Sequence, residues 1–143
     1  MQTSMLRTGI AGLAFFAFLG LPASAETITL KVAPLSGANE VPPNTAKATG
    51  SVTATYDTVS KKLSWKGNYT GLTGPVTGSH FHSAEATTMN GAIQVPIAAA
   101  TSPFEGSATL TDAQAADVMA GRFYINIHTA AHPGGEIRGQ VTK

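Results

Sequence analysis

All four histidines of this 143-residue chain fall in two short clusters, His80-Phe81-His82 and His128-Thr129-Ala130-Ala131-His132. Imidazole is the commonest side-chain ligand of a transition metal, so the chemistry these residues offer is metal coordination. On a strand, successive side chains point to opposite faces. His80 and His82 therefore share one face, with Cα atoms roughly 6.5 Å apart, and Phe81 takes the other. The second cluster begins at the end of another strand-like run and continues into a Pro/Gly turn. If the fold brings the two places together, it builds a three- or four-histidine centre from His80, His82, His128 and His132. The competing reading is two pairs of histidines held in ordinary hydrogen-bond networks.

The runs around the histidines have the alternation such a centre requires. In Phe123-Tyr124-Ile125-Asn126-Ile127-His128, the residues Phe123, Ile125 and Ile127 make a core face. Tyr124, Asn126 and His128 share the opposite one. Phe81 is the corresponding core anchor between His80 and His82. In Pro133-Gly134-Gly135-Glu136-Ile137-Arg138-Gly139-Gln140, a turn leads into a last strand with Ile137 inward and Glu136 and Arg138 on one face. The glycines at 135 and 139 permit unusual dihedrals or close backbone approach. Glu136 and Arg138 either orient the site or form a charged pair that fastens the last strand to the Glu40-Val41-Pro42-Pro43 loop, and the second reading is preferred. Met89 as a soft axial ligand and Glu85 as a carboxylate ligand are weaker candidates, since a lone Met is more often packing and a loop acid more often solvated.

The elements that must position these side chains are short strands with frequent turns. The pattern predicts strands over 27–32, 49–57, 62–70, 76–83, 91–96, 104–110, 123–128 and 136–142, with a long Pro/Gly/Asn loop over 33–46. Asp57 to Lys61 reads as a hairpin turn, and Asn90-Gly91 ends a loop over 84–90. Strands at this spacing indicate a sandwich or a barrel. One helix interrupts them: Thr111 and Gln114 fit a capping box, and Gly121 fits the stop after 113–120.

Arg7, the apolar run 10–21 and Ala23-Ser24-Ala25 make residues 1–25 a secretory signal peptide, leaving 26–143 as one domain. The chain is then exported, periplasmic or secreted, and no Cys is present to carry a lipid anchor. Lys and Arg number 9 against 8 Asp and Glu, with no run of like charge, which argues against nucleic acid and against an anionic membrane surface as partner. The absence of Cys removes disulfides and every thiolate metal site, so blue-copper ligation and Cys-type zinc sites are excluded.

Three stretches carry a family likeness: Gly37-Ala38-Asn39-Glu40-Val41-Pro42-Pro43, His80-Phe81-His82, and Tyr124 to Thr129 continued through Pro133 to Gln140. Through them the chain resembles the CHRD (chordin-type) domain family over nearly all of residues 26–143. The resemblance implies an all-β, immunoglobulin-like antiparallel β-sandwich with one short connecting helix. It also implies that His132, whose position is often Asn in the family, is the least secure ligand, which makes His80, His82 and His128 the core set. The His-x-His strand is similar as well to the copper half of copper–zinc superoxide dismutases, although the chain has no disulfide, no evident zinc loop and no acidic zinc ligand.

The expectation is an exported domain binding a transition metal, copper favoured and zinc as the alternative, through His80, His82, His128 and His132. The rivals are a metal-free module that binds an extracellular or periplasmic protein or a glycan, and a copper-only enzyme of the superoxide-dismutase type.

Overall fold

The computed structural model describes residues 24–97 and 101–143. Almost the whole of the proposed signal peptide therefore lies outside the described residues. Nine strands form one antiparallel sheet: β1 (Thr27–Val32), β2 (Leu35–Ser36), β3 (Thr49–Asp57), β4 (Lys62–Thr70), β5 (Val76–Ser83), β6 (Ala92–Pro96), β7 (Phe104–Thr109), β8 (Phe123–Thr129) and β9 (Ile137–Thr142). Eight of them follow the order β6-β5-β8-β9-β1-β3-β4-β7 across the sheet, and β2 pairs with β3 and β9. One helix, α1 (Asp112–Met119), links β7 to β8. The fold is thus mostly β with one short helix, and the strand bounds differ from the sequence expectation by a residue or so at some ends.

The 33–46 segment, expected to be loop throughout, contains β2 and a 3-10 turn over Gly37–Asn39. β1 and β2 run in line along one seam. Leu30 pairs with Ala54 of β3 while Val32 pairs with Val141 of β9; beyond the break, Leu35 pairs with Gly50 and Ser36 with Arg138. Two residues make too short a period to read from hydrophobic alternation, so only the tertiary pairing defines β2. Gly139 lets this seam close, since a Cβ there would stand 2.4 Å from the Ala33 carbonyl oxygen.

The core follows the alternation. Leu30, Val52, Ala54, Tyr56, Leu63, Trp65, Phe81, Phe123, Ile125, Ile127, Ile137 and Val141 are all buried in it. The sheet bends back on itself to achieve this. Trp65 on β4 and Phe81 on β5, near opposite ends of the strand order, meet edge to face with ring centroids 5.1 Å apart. Phe81 also stacks on Phe123, on the adjoining strand β8, at 6.4 Å. Burying an aromatic side chain of this kind contributes roughly 1.5–3 kcal/mol, so the residue between the two histidines is also what anchors their strand.

Local signals behave as their chemistry requires. Thr111 accepts a hydrogen bond from the Gln114 amide and Gln114 reaches back to the Thr111 amide, closing the capping box. Gly121 ends the helix at φ +72°, in the left-handed region that glycine enters without strain. The Asp57 carboxylate accepts from the Val59 and Ser60 amides and from the Ser60 hydroxyl, which sets the β3–β4 hairpin. α1 buries Ala115 and Val118 and packs against β5 and β9. No helix among the described residues is long and apolar enough to cross a membrane.

Candidate metal centre

The two histidine clusters meet because β5 pairs directly with β8. Gly78 lies opposite His128, His80 opposite Asn126, and His82 opposite Tyr124. One sheet face therefore carries His80, His82, Tyr124, Asn126 and His128, while Phe81, Ile125 and Ile127 point to the core. The pairing is irregular at both ends of the site, with register shifts between Val76 and Gly78 against β8 and between Phe81 and His82 against β6. Bulges of this kind re-aim side chains beside functional sites. Gly78 leaves space for the His80 ring, whose Cε1 would stand 2.9 Å from a Cβ at that position.

His80, His82 and His128 each offer a ring nitrogen, and the three nitrogens all lie within 4.8 Å of one another. The His80 ring is centred 5.5 Å from that of His82 and 5.2 Å from that of His128. Metal–nitrogen bonds of about 2.0–2.1 Å put bound nitrogens roughly 3.3–4 Å apart, so small ring rotations suffice to close the set on one ion.

The hydrogen bonds around the rings suit that use. His82 Nδ1 donates to the Gly91 carbonyl at 3.0 Å, which leaves the Nε2 lone pair as the one that could ligate a metal. That Nε2 is buried and has no hydrogen-bond partner, and the same holds for Nδ1 of His80. His128 Nδ1 donates to the Pro133 carbonyl, also at 3.0 Å, and its Nε2 lies 2.9 Å from Asn126 Oδ1. Buried nitrogens without partners are costly, and a cation placed between them would offset that cost. Burial, together with the neighbouring His128 and His82, lowers the pKa of His80. Burial also lowers that of His82, against the opposing effect of the Gly91 carbonyl. Both shifts favour the neutral imidazole a metal requires.

His132 stands apart from this group. It is half-buried in the turn after β8, where its amide donates to the Thr129 carbonyl and its own carbonyl accepts from Gly135. Met89 is exposed, and its carbonyl serves Arg138. Glu85 is an exposed partner of Arg122 at 3.9 Å.

The preferred reading of Glu136 and Arg138 as a charged pair is corrected by the geometry. Glu136 precedes β9 and points toward Thr73 and Thr129. It accepts from the Thr73 amide at 2.9 Å, the Thr73 hydroxyl at 2.8 Å and the Thr129 hydroxyl at 2.6 Å. Burial alone would raise this carboxyl, but those hydrogen bonds outweigh it and hold the pKa below the usual value. Arg138 makes no ion pair among the described residues. It lies buried with its guanidinium 3.4 Å above the Tyr124 ring and donates to Asn90 Oδ1, the Thr87 carbonyl and the Met89 carbonyl. Tyr124 in turn stacks on His82 at 4.9 Å, nearly parallel, and its hydroxyl accepts from the Gly91 amide. Arg138, Tyr124 and His82 thus form one stack against which the 84–91 loop is held. An amide also ties the Glu40 loop to the residues just before the last strand: Asn44 Nδ2 donates to the Gly135 and Glu136 carbonyls.

Glu40 interacts electrostatically with Arg138 of this network. It is buried, its Oε1 has no hydrogen-bond partner, and Gly135 at φ +129° makes room for it, since a Cβ there would stand 2.5 Å from Oε1 and 2.7 Å from Asn126 Nδ2. Burial pushes the carboxyl up to about 7 against the lowering effects of the Arg138 charge and the Asn126 amide. The folded protein therefore keeps a proton that the unfolded chain releases near pH 4.5. The stability this group contributes is complete below that pH and is lost as pH rises through 7. Glu40→Gln is expected to remove this component and to stabilise the protein above pH 7 by on the order of 3 kcal/mol. Urea unfolding of both proteins from pH 4.5 to 8 measures it; a constant difference across that range would refute the assignment.

Asn126 and Glu40 are the residues that sequence reasoning left without a role at the site. The signal for Asn126 was present, since it shares the alternation of Tyr124 and His128; Glu40 was marked by the 37–43 stretch and by the expected meeting of its loop with the last strand, but not as part of the site. No curated protein and no solved structure matches this chain. Residues 31–141 do match the CHRD domain, over the same strands that carry the histidines, and the chain therefore belongs to the CHRD domain family.

Proposed function

We propose that this CHRD domain protein binds one transition-metal ion through His80, His82 and His128, with copper as the preferred ion and zinc as the alternative. The observation that carries the reading is the convergence of three imidazole nitrogens within 4.8 Å, two of them on rings whose Nδ1 is committed to a backbone carbonyl. Three imidazole nitrogen donors with no thiolate suit Cu(II) or zinc, and the Irving–Williams order favours Cu(II) where both are present. His132 supplies no part of this set; its role is to shape the turn that carries the Pro133 carbonyl. The bent nine-stranded sheet, with Trp65 and Phe81 meeting across it, supports the two-layered immunoglobulin-like arrangement expected of the family. The signal-like segment over residues 1–25 supports export, and with it a role in holding, buffering or delivering copper outside the cytoplasm.

The test is titration of metal-stripped residues 26–143 with Cu(II), followed by spin-resonance spectroscopy. One ion per chain with coupling to several nitrogens is expected, and the spectrum should collapse to that of weakly bound ion in His80→Ala/His82→Ala. Absence of stoichiometric binding would sink the proposal and shift attention to protein or glycan partners of the loops.

A further inference from the structure

Two buried groups of opposite charge, Glu40 and Arg138, lie near one another without pairing. Glu40 is 4% exposed and Arg138 1%. Each feels the charge of the other, yet they form no ion pair. Glu40 Oε1 has no hydrogen-bond partner. Arg138 gives its hydrogen bonds to neutral groups, Asn90 Oδ1 and the Thr87 and Met89 carbonyls. Burial raises the Glu40 carboxyl and lowers the Arg138 guanidinium, so each charge is held at a cost. Both residues line one cleft of about 430 Å³. Arg138 and Gln140, on one face of β9, form part of its lining; the 38–43 and 87–88 segments supply the rest of it together with Ala33. Ala38, Val41 and Pro43 make part of that lining apolar. Asn90 Nδ2 donates to the Val41 carbonyl at 2.6 Å and so bridges the two loops beside the cleft. Among the described residues lining it, Glu40 and Arg138 are the charged ones.

We propose that this cleft binds a small zwitterion, an α-amino acid with a small apolar side chain, whose ammonium meets Glu40 and whose carboxylate meets Arg138. A ligand of single charge would satisfy one of the two groups and leave the other buried and unpaired. A ligand with both charges a few bonds apart satisfies both, through charge-assisted contacts of about 2.7–2.9 Å at each end. The hydrogen bonds that Arg138 gives to the loop leave part of its donor set free for the carboxylate. The volume is in the range of small-molecule sites, roughly 300–1,000 Å³, and the apolar lining takes the side chain. The cleft contains none of the three histidines, so this site does not depend on the metal reading.

The experiment titrates residues 26–143, free of metal, with L-alanine, L-valine and L-leucine, using amide NMR to locate binding and calorimetry to measure it. Shifts are expected in 38–43, 87–88 and 138–140. N-acetyl-valine lacks the ammonium and isobutylamine lacks the carboxylate; both are expected to bind at least tenfold more weakly than L-valine. Glu40→Gln keeps the shape of the side chain and should weaken L-valine binding roughly ten- to a hundredfold, the loss of one charge-assisted hydrogen bond. Ala38→Trp fills the cleft from an exposed position, so it should fold, abolish the shifts and leave Cu(II) binding unchanged. Absence of shifts with all three amino acids, shifts confined to other surfaces, or equal affinity in the wild type and Glu40→Gln overturns the site. N-acetyl-valine or isobutylamine binding as well as L-valine overturns the zwitterion. The metal reading fails separately, if His80→Ala/His82→Ala binds Cu(II) as the wild type does.

Discussion

Saturating Cu(II) is expected to raise the thermal midpoint of the wild-type domain by roughly 12–20 °C, and to leave His80→Ala/His82→Ala where it was. An ion that binds only the folded state stabilises it by about 4 kcal/mol at a thousandfold excess over Kd. For a domain of this length each kcal/mol moves the midpoint by roughly 3–5 °C. The metal-free comparison has the opposite character. Two of the nitrogens at the site are buried without partners, so truncating His80 and His82 removes unsatisfied groups along with packing. The metal-free double variant should therefore stay within about 1 kcal/mol of the metal-free wild type. The large effect thus appears only when the ion is present, and a chelator should reverse it. Differential scanning of both proteins, with Cu(II) and with chelator, checks the pattern. Equal midpoint shifts in the two proteins would remove this strand from any metal site.

The second large effect is at Arg138, where Arg138→Ala should cost on the order of 3 kcal/mol even without metal. The guanidinium is buried against Tyr124 and gives three hydrogen bonds to the 84–91 loop, at 3.1 Å to Asn90, 3.3 Å to Thr87 and 3.1 Å to Met89. Its loss frees the loop and uncovers one face of the Tyr124 ring. The loop also carries Gly91, whose carbonyl accepts from His82 Nδ1 and whose amide donates to the Tyr124 hydroxyl. The same substitution should therefore weaken Cu(II) binding about tenfold or more, the range seen when an outer partner of a ligating histidine is lost. Denaturant unfolding gives the stability term, amide exchange over residues 84–91 gives the loop, and a copper competition assay gives the affinity. A destabilised protein with an unmoved loop and unchanged affinity would mean that Arg138 supports the sheet alone.

The local chemistry of this chain was legible in its sequence wherever neighbouring residues decide it. Strict alternation in 123–128 places Ile125 and Ile127 in the core and Asn126 and His128 on the other face, whatever else the chain does. The capping box at Thr111 and Gln114, the left-handed stop at Gly121 and the Asp57 hairpin turn depend on contacts a few residues apart. The family stretches at 37–43, 80–82 and 124–140 were likewise readable one after another, and the CHRD match extends over all of them.

Long-range pairing decided the rest. Alternation assigns a face to each residue but not a neighbour to each strand, so it could not say that β5 lies beside β8 or that Gly78 faces His128. That pairing, with its bulges, makes one site of His80, His82 and His128 and leaves His132 in the turn. The charges at Glu136 and Arg138 looked like partners because they are two residues apart. Tertiary structure sends one to Thr73 and Thr129 and the other beneath the 84–91 loop, because each buried charge takes the polar groups the surrounding elements bring to it. By itself the sequence determined which side chains have the chemistry to hold a metal and which face each occupies. Only the folded sheet decided which of them meet, since contact across strands depends on register and curvature that no local run of residues encodes.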